Sequence, residues 1–184
     1  MPRVLTLRQG HIYSQPVEEI KALRKLETRI DIDSVNLKEF HETLPKSSEI
    51  SLDLGLGDAK KIKITLDYEG EKVTFDYDKK NQVMVIDRNG MKLGGKGIRK
   101  FNDGKNFDVN LGVRKFKLFA SQELSFNMFI DRTALEIFFQ HGEEVATFLL
   151  YPEKDVAPKI SVEADENFAT MNGHIWEMDS IKFN

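Results

Sequence analysis

From about Glu27 to the end of the chain, large apolar residues recur at every second position. Ile50, Leu52 and Leu54 alternate with polar residues, and so do Ile62, Ile64, Leu66 and Tyr68. Successive side chains of a strand point to opposite faces, so this spacing builds half-buried strands and cannot build helices. Glu69-Gly70 then makes a tight turn, and Val73, Phe75 and Tyr77 return, which is a hairpin pattern. The pattern recurs at Val83 to Ile86, Phe107 to Leu111, Phe116 to Phe119, Leu124 to Ile130, Leu135 to Phe139, Val145 to Tyr151, Ile160 to Val162 and Ile175 to Ile181. Asn89-Gly90, Asp103-Gly104 and His141-Gly142 punctuate it. Many short strands separated by turn residues predict an all-β fold, an antiparallel sandwich or barrel. The Gly-, Lys- and Asn-rich stretch from Arg88 to Asn106 is expected to be a long loop.

The first segment differs. Val4 to Leu7 and His11 to Tyr13 flank Gln9-Gly10 and predict a short hairpin. Behind Pro16, apolar residues fall at Val17, Ile20, Leu23 and Leu26, a spacing of three that predicts one helix. Pro16 suits a helix start, and Glu18 and Glu19 favour the positive end of its dipole. The expected division is thus a hairpin and linker helix over 1–26, and a sandwich over 27–184.

With 184 residues, the sandwich can bury a sizeable core, roughly 70% of its unfolded surface. The net charge of −3 and the scattered Lys and Arg argue against a nucleic-acid partner. There is no cysteine, so disulfides and thiol chemistry are excluded. Apolar runs such as Phe148 to Tyr151 are too short to span a bilayer, so no membrane partner is expected. The start lacks a basic stretch followed by an apolar one. A cytoplasmic location is therefore expected, although a secreted parent is compatible with the sequence.

Three central strands do not alternate cleanly. Leu124, Phe126, Met128 and Ile130 share a face, but Phe129 lies opposite; Leu135, Ile137 and Phe139 share a face, but Phe138 lies opposite; Ala146, Phe148 and Leu150 lie opposite Val145, Leu149 and Tyr151. Large exposed apolar patches are rare on monomers. The second face is therefore expected to meet a partner surface, or else a loop or the linker helix. Phe129, Phe138 and Phe148 are the candidate docking residues, with Arg132 and Glu136 as polar neighbours.

The segment Phe126-Asn127-Met128-Phe129-Ile130-Asp131-Arg132-Thr133-Ala134-Leu135-Glu136-Ile137-Phe138-Phe139-Gln140-His141-Gly142-Glu143 resembles the C-terminal domain of glycoside hydrolase family 32. There a strand ends in Asp-Arg-Ser-Ser and continues Val-Glu-Val-Phe and Asn-Asp-Gly-Glu. Thr133-Ala134 here replaces the serines, and Gln140-His141 replaces Asn-Asp. Tyr151-Pro152 matches the usual strand end, and Val83 to Arg88 resembles another family strand. Pro2 to Leu7 with Gly10, then Gln15 to Ile20 and Leu23-Arg24, is similar to the family's junction between domains. The resemblance covers most of the chain in the expected order. It implies that residues 1–26 close a five-bladed catalytic propeller, which is the expected partner. It also implies a β-fructofuranosidase parent that hydrolyses sucrose or its 6-phosphate by retention, without metal or organic cofactor.

The family's catalytic motifs are absent. They are a Trp-Met-Asn-Asp-Pro-Asn nucleophile segment, an Arg-Asp-Pro and a glutamate before cysteine, whereas the single Trp176 here precedes Glu177. Retaining chemistry needs two carboxyl groups about 5–5.5 Å apart. Asp131 and Glu136 are better explained as a turn residue and a surface ion-pair partner of Arg132. No catalytic residue is therefore expected in this chain. His11, His41, His141 and His174 lack ligand spacing, so no metal site is expected. Gly94-Gly95-Lys96-Gly97 lacks the full phosphate-loop pattern. Tyr13 and Trp176 are candidates for stacking on a fructose-containing saccharide, although aromatics more often serve a core or an interface. A fructan-binding, lectin-like module is the alternative reading, and a homo-oligomer is left open.

Overall fold

The computed structural model describes residues 1–33, 37–92, 96–100, 106–110 and 112–180. Strands are numbered in chain order. β1 (Arg3–Arg8) and β2 (His11–Pro16) form the N-terminal hairpin. β3 (Arg24–Ile32), β4 (Leu37–Thr43), β5 (Ser47–Gly55), β6 (Lys61–Tyr68), β7 (Glu71–Asp78) and β8 (Val83–Gly90) follow. Then come β9 (Lys96–Lys100), β10 (Asn106–Asn110), β11 (Val113–Lys117), β12 (Glu123–Asp131) and β13 (Ala134–Phe139). β14 (Glu144–Leu149), β15 (Lys159–Phe168) and β16 (Thr170–Met178) complete the chain.

Two six-stranded antiparallel sheets carry the fold, as the alternation predicts. The first has the order β11-β8-β7-β6-β15-β4, and the second β14-β13-β12-β5-β16-β3. Their inner faces interlock. Ile64, Leu66, Val73, Phe75, Ile86 and Val162 meet Ile50, Leu52, Leu54, Leu124, Met128 and Ile137, all buried in one core. Phe116 of β11 lies 5.9 Å from Phe139 of β13. Arg88 of β8 donates to the Leu149 carbonyl of β14 at 2.6 Å. These contacts stack the two sheets in the same sense, so the end strands β4 and β3 fall on one side of the sandwich and β11 and β14 on the other.

The turns follow the sequence where glycine marks them. Gln9-Gly10 and Glu69-Gly70 both hold positive φ at each position, which suits the right-handed twist of a two-residue hairpin. Asp67 Oδ1 accepts the Gly70 N–H at 2.6 Å and braces the second of these.

Two expectations are corrected. The linker helix is a six-residue 3-10 helix, Glu18–Leu23. Apolar residues spaced by exactly three eclipse in a 3-10 helix and drift around an α-helix. Val17, Ile20 and Leu23 are accordingly half-buried, while Leu26 is exposed in β3. β3 follows directly and runs from Arg24 through Glu27 to Ile32. The stretch Arg88–Asn106 is not wholly a loop: β8 runs through Asn89 to Gly90, and β9 pairs with β10. The expected Asp103-Gly104 turn, Gly94, Gly95, Leu111 and Ile181 lie outside the described residues.

Tyr77 ties the core to the chain leading into β12. Its hydroxyl lies 2.8 Å from the Ala120 carbonyl and 3.2 Å from that of Leu118, and it accepts the Ala120 N–H at 3.1 Å. Tyr77→Phe keeps the ring and strands these backbone groups. Urea unfolding is expected to show a loss of about 1–3 kcal/mol with an unchanged m-value. A loss within error would mean that water replaces the hydroxyl.

Candidate functional site

The outer face of the second sheet carries most of the expected docking residues, and the chain's own N-terminal segment lies on it. Phe129 pairs with Glu136 across β12 and β13, and Asn127 pairs with Phe138, so all four share a face. Phe129 meets the ring of Phe138 edge-on, 6.1 Å between centroids. Phe138 is only 2% exposed yet stands apart from the central core. The Arg3 guanidinium sits 5.3 Å from its ring centroid, and Arg3 Nη2 donates to Glu136 Oε2 and to Thr147 Oγ1, each at 2.8 Å. The Met1 amine donates to Glu136 Oε1 at 2.8 Å. Phe129 is half-buried and lines a cleft of about 1070 Å³ together with Pro2, Ile20, Leu23, Arg132 and Met178.

Two expectations change here. Phe148 does not belong to this face. Its cross-strand partner is Leu135, which points inward, and Phe148 is 5% exposed within the core. Glu136 pairs with Arg3 and not with Arg132, because Arg132 occupies the β12–β13 turn with a left-handed φ of 37°. Asp131 stands at that turn, as expected.

Burial pushes the Glu136 carboxyl up, but its bonds from the Met1 amine and Arg3 outweigh this and hold it below the usual carboxylate value. A general acid needs the opposite shift. Glu136 is therefore built as a fixed anion that receives a cationic segment.

A second anchor lies beside the linker. Glu49 of β5 is 1% exposed and receives two bonds from Arg24, at 2.7 and 2.6 Å, and one from Asn127 Nδ2 at 3.1 Å. Arg24 also lies 3.6 Å from the Trp176 ring centroid, and His174 stacks on Trp176 at 5.0 Å and 13°. Glu27 Oε1 is 2.6 Å from His174 Nδ1. The Leu23 carbonyl accepts the Asp179 N–H at 2.8 Å. The linker is thus tied at the residue where β3 starts.

The sugar-stacking candidates are both engaged by neighbours. Trp176 carries Arg24 and His174, and Tyr13 has Arg8 5.5 Å from its centroid. The structure does not bring Tyr13 and Trp176 into one pocket with the docking residues: neither lines the cleft. Among the described residues, no three His, Asp or Glu side chains gather as a metal site, and no helix is long and apolar enough to cross a membrane.

Arg3, Glu49 and Gly142 were not legible as site residues. Gly142, at the β13–β14 turn with φ +95°, lies against β2: a Cβ there would fall 2.2 Å from the Ser14 carbonyl oxygen. The His141-Gly142 turn signal located the turn, but nothing local shows that a strand more than a hundred residues away rests on it.

Residues 19–177 match the family model described as glycosyl hydrolases family 32 C terminal. The chain belongs to this family. It is 24% identical over 149 residues to a sucrose-6-phosphate hydrolase of Streptococcus mutans, covering 80% of this chain and 27% of that protein. A second sucrose-6-phosphate hydrolase, from Staphylococcus xylosus, is 21% identical over 184 residues, 98% of this chain and 35% of that one. The structure of sucrose-6-phosphate hydrolase from Lactobacillus gasseri superposes with a TM-score of 0.68 at 24% identity, over 97% of this chain and 33% of that one. At such identities the structural likeness speaks for the fold. The chain therefore spans roughly a third of its relatives' length.

Arg24→Ala would leave the Glu49 carboxylate buried with only Asn127, at a cost of about 3–5 kcal/mol in denaturant unfolding. Adding Glu49→Gln is expected to recover part of that loss; a double variant as unstable as the single one would show that Arg24 acts through Trp176. For Glu136 the depressed pKa fixes the sign. Its contribution is full above the unfolded value of about 4.3 and is lost as pH falls through the lower folded value. Amide resonances of β1 and β2 should stay constant down to the ordinary carboxylate range and move only below it. Movement near neutral pH would contradict the pairing.

Proposed function

We propose that this chain is the accessory sandwich of a β-fructofuranosidase, cleaving sucrose or sucrose-6-phosphate, and that its work is to brace the catalytic propeller. The observation that carries this is the family match over 19–177 in a chain only a third as long as its sucrose-6-phosphate hydrolase relatives. Retaining hydrolysis without a metal or organic cofactor is then the work of the remaining two thirds. The proposed division puts the end of the propeller and the linker in residues 1–26 and the sandwich in 27–184.

The docking geometry supports this reading. Residues 1–24 lie on the second sheet through Arg3, Glu136, Phe138 and Gly142. The hairpin turns Val4, Leu5, Leu7 and Ile12 outward, where they are exposed. Such a surface suits a partner domain that continues from β1 and β2, and Phe129 with Arg132 at the cleft mouth extends it. A fructan-binding module gains less support, since the described aromatic candidates are occupied by the chain's own side chains. Cytoplasmic residence goes with a parent acting on a phosphorylated sugar.

The test is fructose release from sucrose and sucrose-6-phosphate. The chain alone is expected to release none. Mixed with its separately produced propeller, it should raise the yield or the half-life of activity. Arg3→Ala should shorten that half-life several-fold while KM is unchanged. Fructose release by this chain alone would sink the reading.

A further inference from the structure

The outer face of the first sheet is laid out as a lattice. In the register of β4, β15, β6 and β7, His41, Ser161, Thr65 and Thr74 stand side by side in one row across the four strands. The row on one side of it is Lys159, Asp67 and Lys72, and the row on the other is Glu163, Lys63 and Asp76. Short hydroxyl side chains thus make a floor between two rows of longer charged ones. Residues of all three rows line a hollow of about 270 Å³. A second hollow of about 590 Å³ adjoins it at Lys63 and Glu163 and continues to Asn81, Val83 and Val85.

One residue of the floor is out of keeping with a merely solvated face. Ile64 and Leu66 point into the core, so Thr65 between them points out, yet it is only 7% exposed. Among the described residues its hydroxyl has no hydrogen-bond partner. Buried polar groups normally have one. Its neighbours are only partly engaged. Thr74 Oγ1 donates to Asp76 Oδ2 at 3.0 Å and Ser161 Oγ donates to Glu163 Oε1 at 3.3 Å, which leaves both oxygens able to accept. Lys72 lies 3.3 Å from Asp67, whereas Lys63 and Lys159 make no ion pair among the described residues.

We propose that this groove binds a short neutral saccharide, with one sugar ring over Thr65 and the next in the adjoining hollow. The charge order selects that class. Signs alternate along both flanking rows, and each lysine has an acid directly across the strand: Lys159 opposite Asp67, Lys63 opposite Glu163. A phosphate would meet an acid beside every lysine, and a cation a lysine beside every acid. A sugar hydroxyl donates and accepts at once, so it gives a proton to a carboxylate or to the Thr74 oxygen and takes one from a lysine or from Thr65. Val83 and Val85, both half-buried, offer the second ring an apolar support. Strands lie about 4.8 Å apart, so the floor from Ser161 to Thr74 spans roughly 10 Å. The hollow over it is at the small end of ligand sites, which begin near about 300 Å³, and suits a single ring. The groove uses no aromatic side chain and lies on the sheet opposite the one that residues 1–24 cover. It therefore depends neither on Tyr13 and Trp176 nor on the bracing role.

The experiment is an amide-shift titration of the isotope-labelled chain with sucrose and, separately, with inorganic phosphate at matched ionic strength. Sucrose raised to about 0.1 M, enough to fill a millimolar site, is expected to move the amides of Ser161, Thr65, Thr74, Val83 and Val85. Phosphate should leave them in place. Thr65→Val keeps the side chain's shape and removes a hydroxyl without a partner, so the variant should fold as firmly as the wild type. Its Kd for sucrose should rise roughly tenfold, the worth of about one hydrogen bond. The amide spectrum itself checks the fold, and if Thr65→Val is unfolded, Glu163→Gln on the exposed rim gives the same readout. No shifts with sucrose, shifts confined to other parts of the chain, an unchanged Kd in the folded variant, or equal shifts with phosphate would overturn the proposal.

Discussion

A sheet that is apolar on both faces needs two covers. The second sheet has the first sheet on its inner face, and the burial of that shared core is the driving force of the fold. Its outer face carries Phe129 and Phe138, and leaving both in water would forfeit on the order of 2 kcal/mol for each ring. Residues 1–24 supply part of the second cover. The N-terminal hairpin and linker are therefore as much a consequence of the sheet's pattern as the sandwich itself, although they share no strand pairing with it.

That cover is fastened by charges rather than by more apolar surface. Arg3 meets Glu136 and Phe138 at one end, and Arg24 meets Glu49 and Trp176 at the other. In both places a guanidinium bonds a carboxylate while lying near an aromatic ring. Arginine suits this geometry because its planar fork bonds a carboxylate edgewise and stacks flat, which lysine cannot do. Partly buried pairs of this kind add little net stability over a well-packed apolar contact, yet they penalise misplacement. Their value at an interface is to fix position.

Much of the fold was legible because its signals are local. The alternation in Leu124–Ile130 and Leu135–Phe139 gave the strands and even their faces, and Gln9-Gly10 and Glu69-Gly70 gave the hairpins. The helix was visible as a spacing of three, but a stripe over two turns hardly separates the 3-10 period from the α period. Phe148 was assigned to the outer face because its strand is apolar on both parities; only its register with Leu135 settles which side is the core. The site was less legible. Phe129 and Phe138 stood out as interruptions of the pattern, with Glu136 as a polar neighbour, but Arg3, which meets both Phe138 and Glu136, is 133 residues from Glu136. Glu49 looked like any outward acid on a strand, because its burial depends on Arg24 and Asn127 arriving from two other strands.

The placement of these anchors bears on how firmly the N-terminal segment is held against the sandwich. A segment held at one point can swing; held at separated points, it cannot. Gly142 admits the Ser14 backbone at one end of the cover, Arg3 bonds Glu136 along it, and Arg24 bonds Glu49 where the linker becomes β3. The 3-10 helix between them is short, and its last carbonyl, at Leu23, is bonded by the Asp179 N–H. Any domain continuous with β1 and β2 therefore inherits an orientation fixed against the sandwich at both ends of the linker. Three bonded or closely packed points across the face therefore limit the swing of the N-terminal segment against the sandwich.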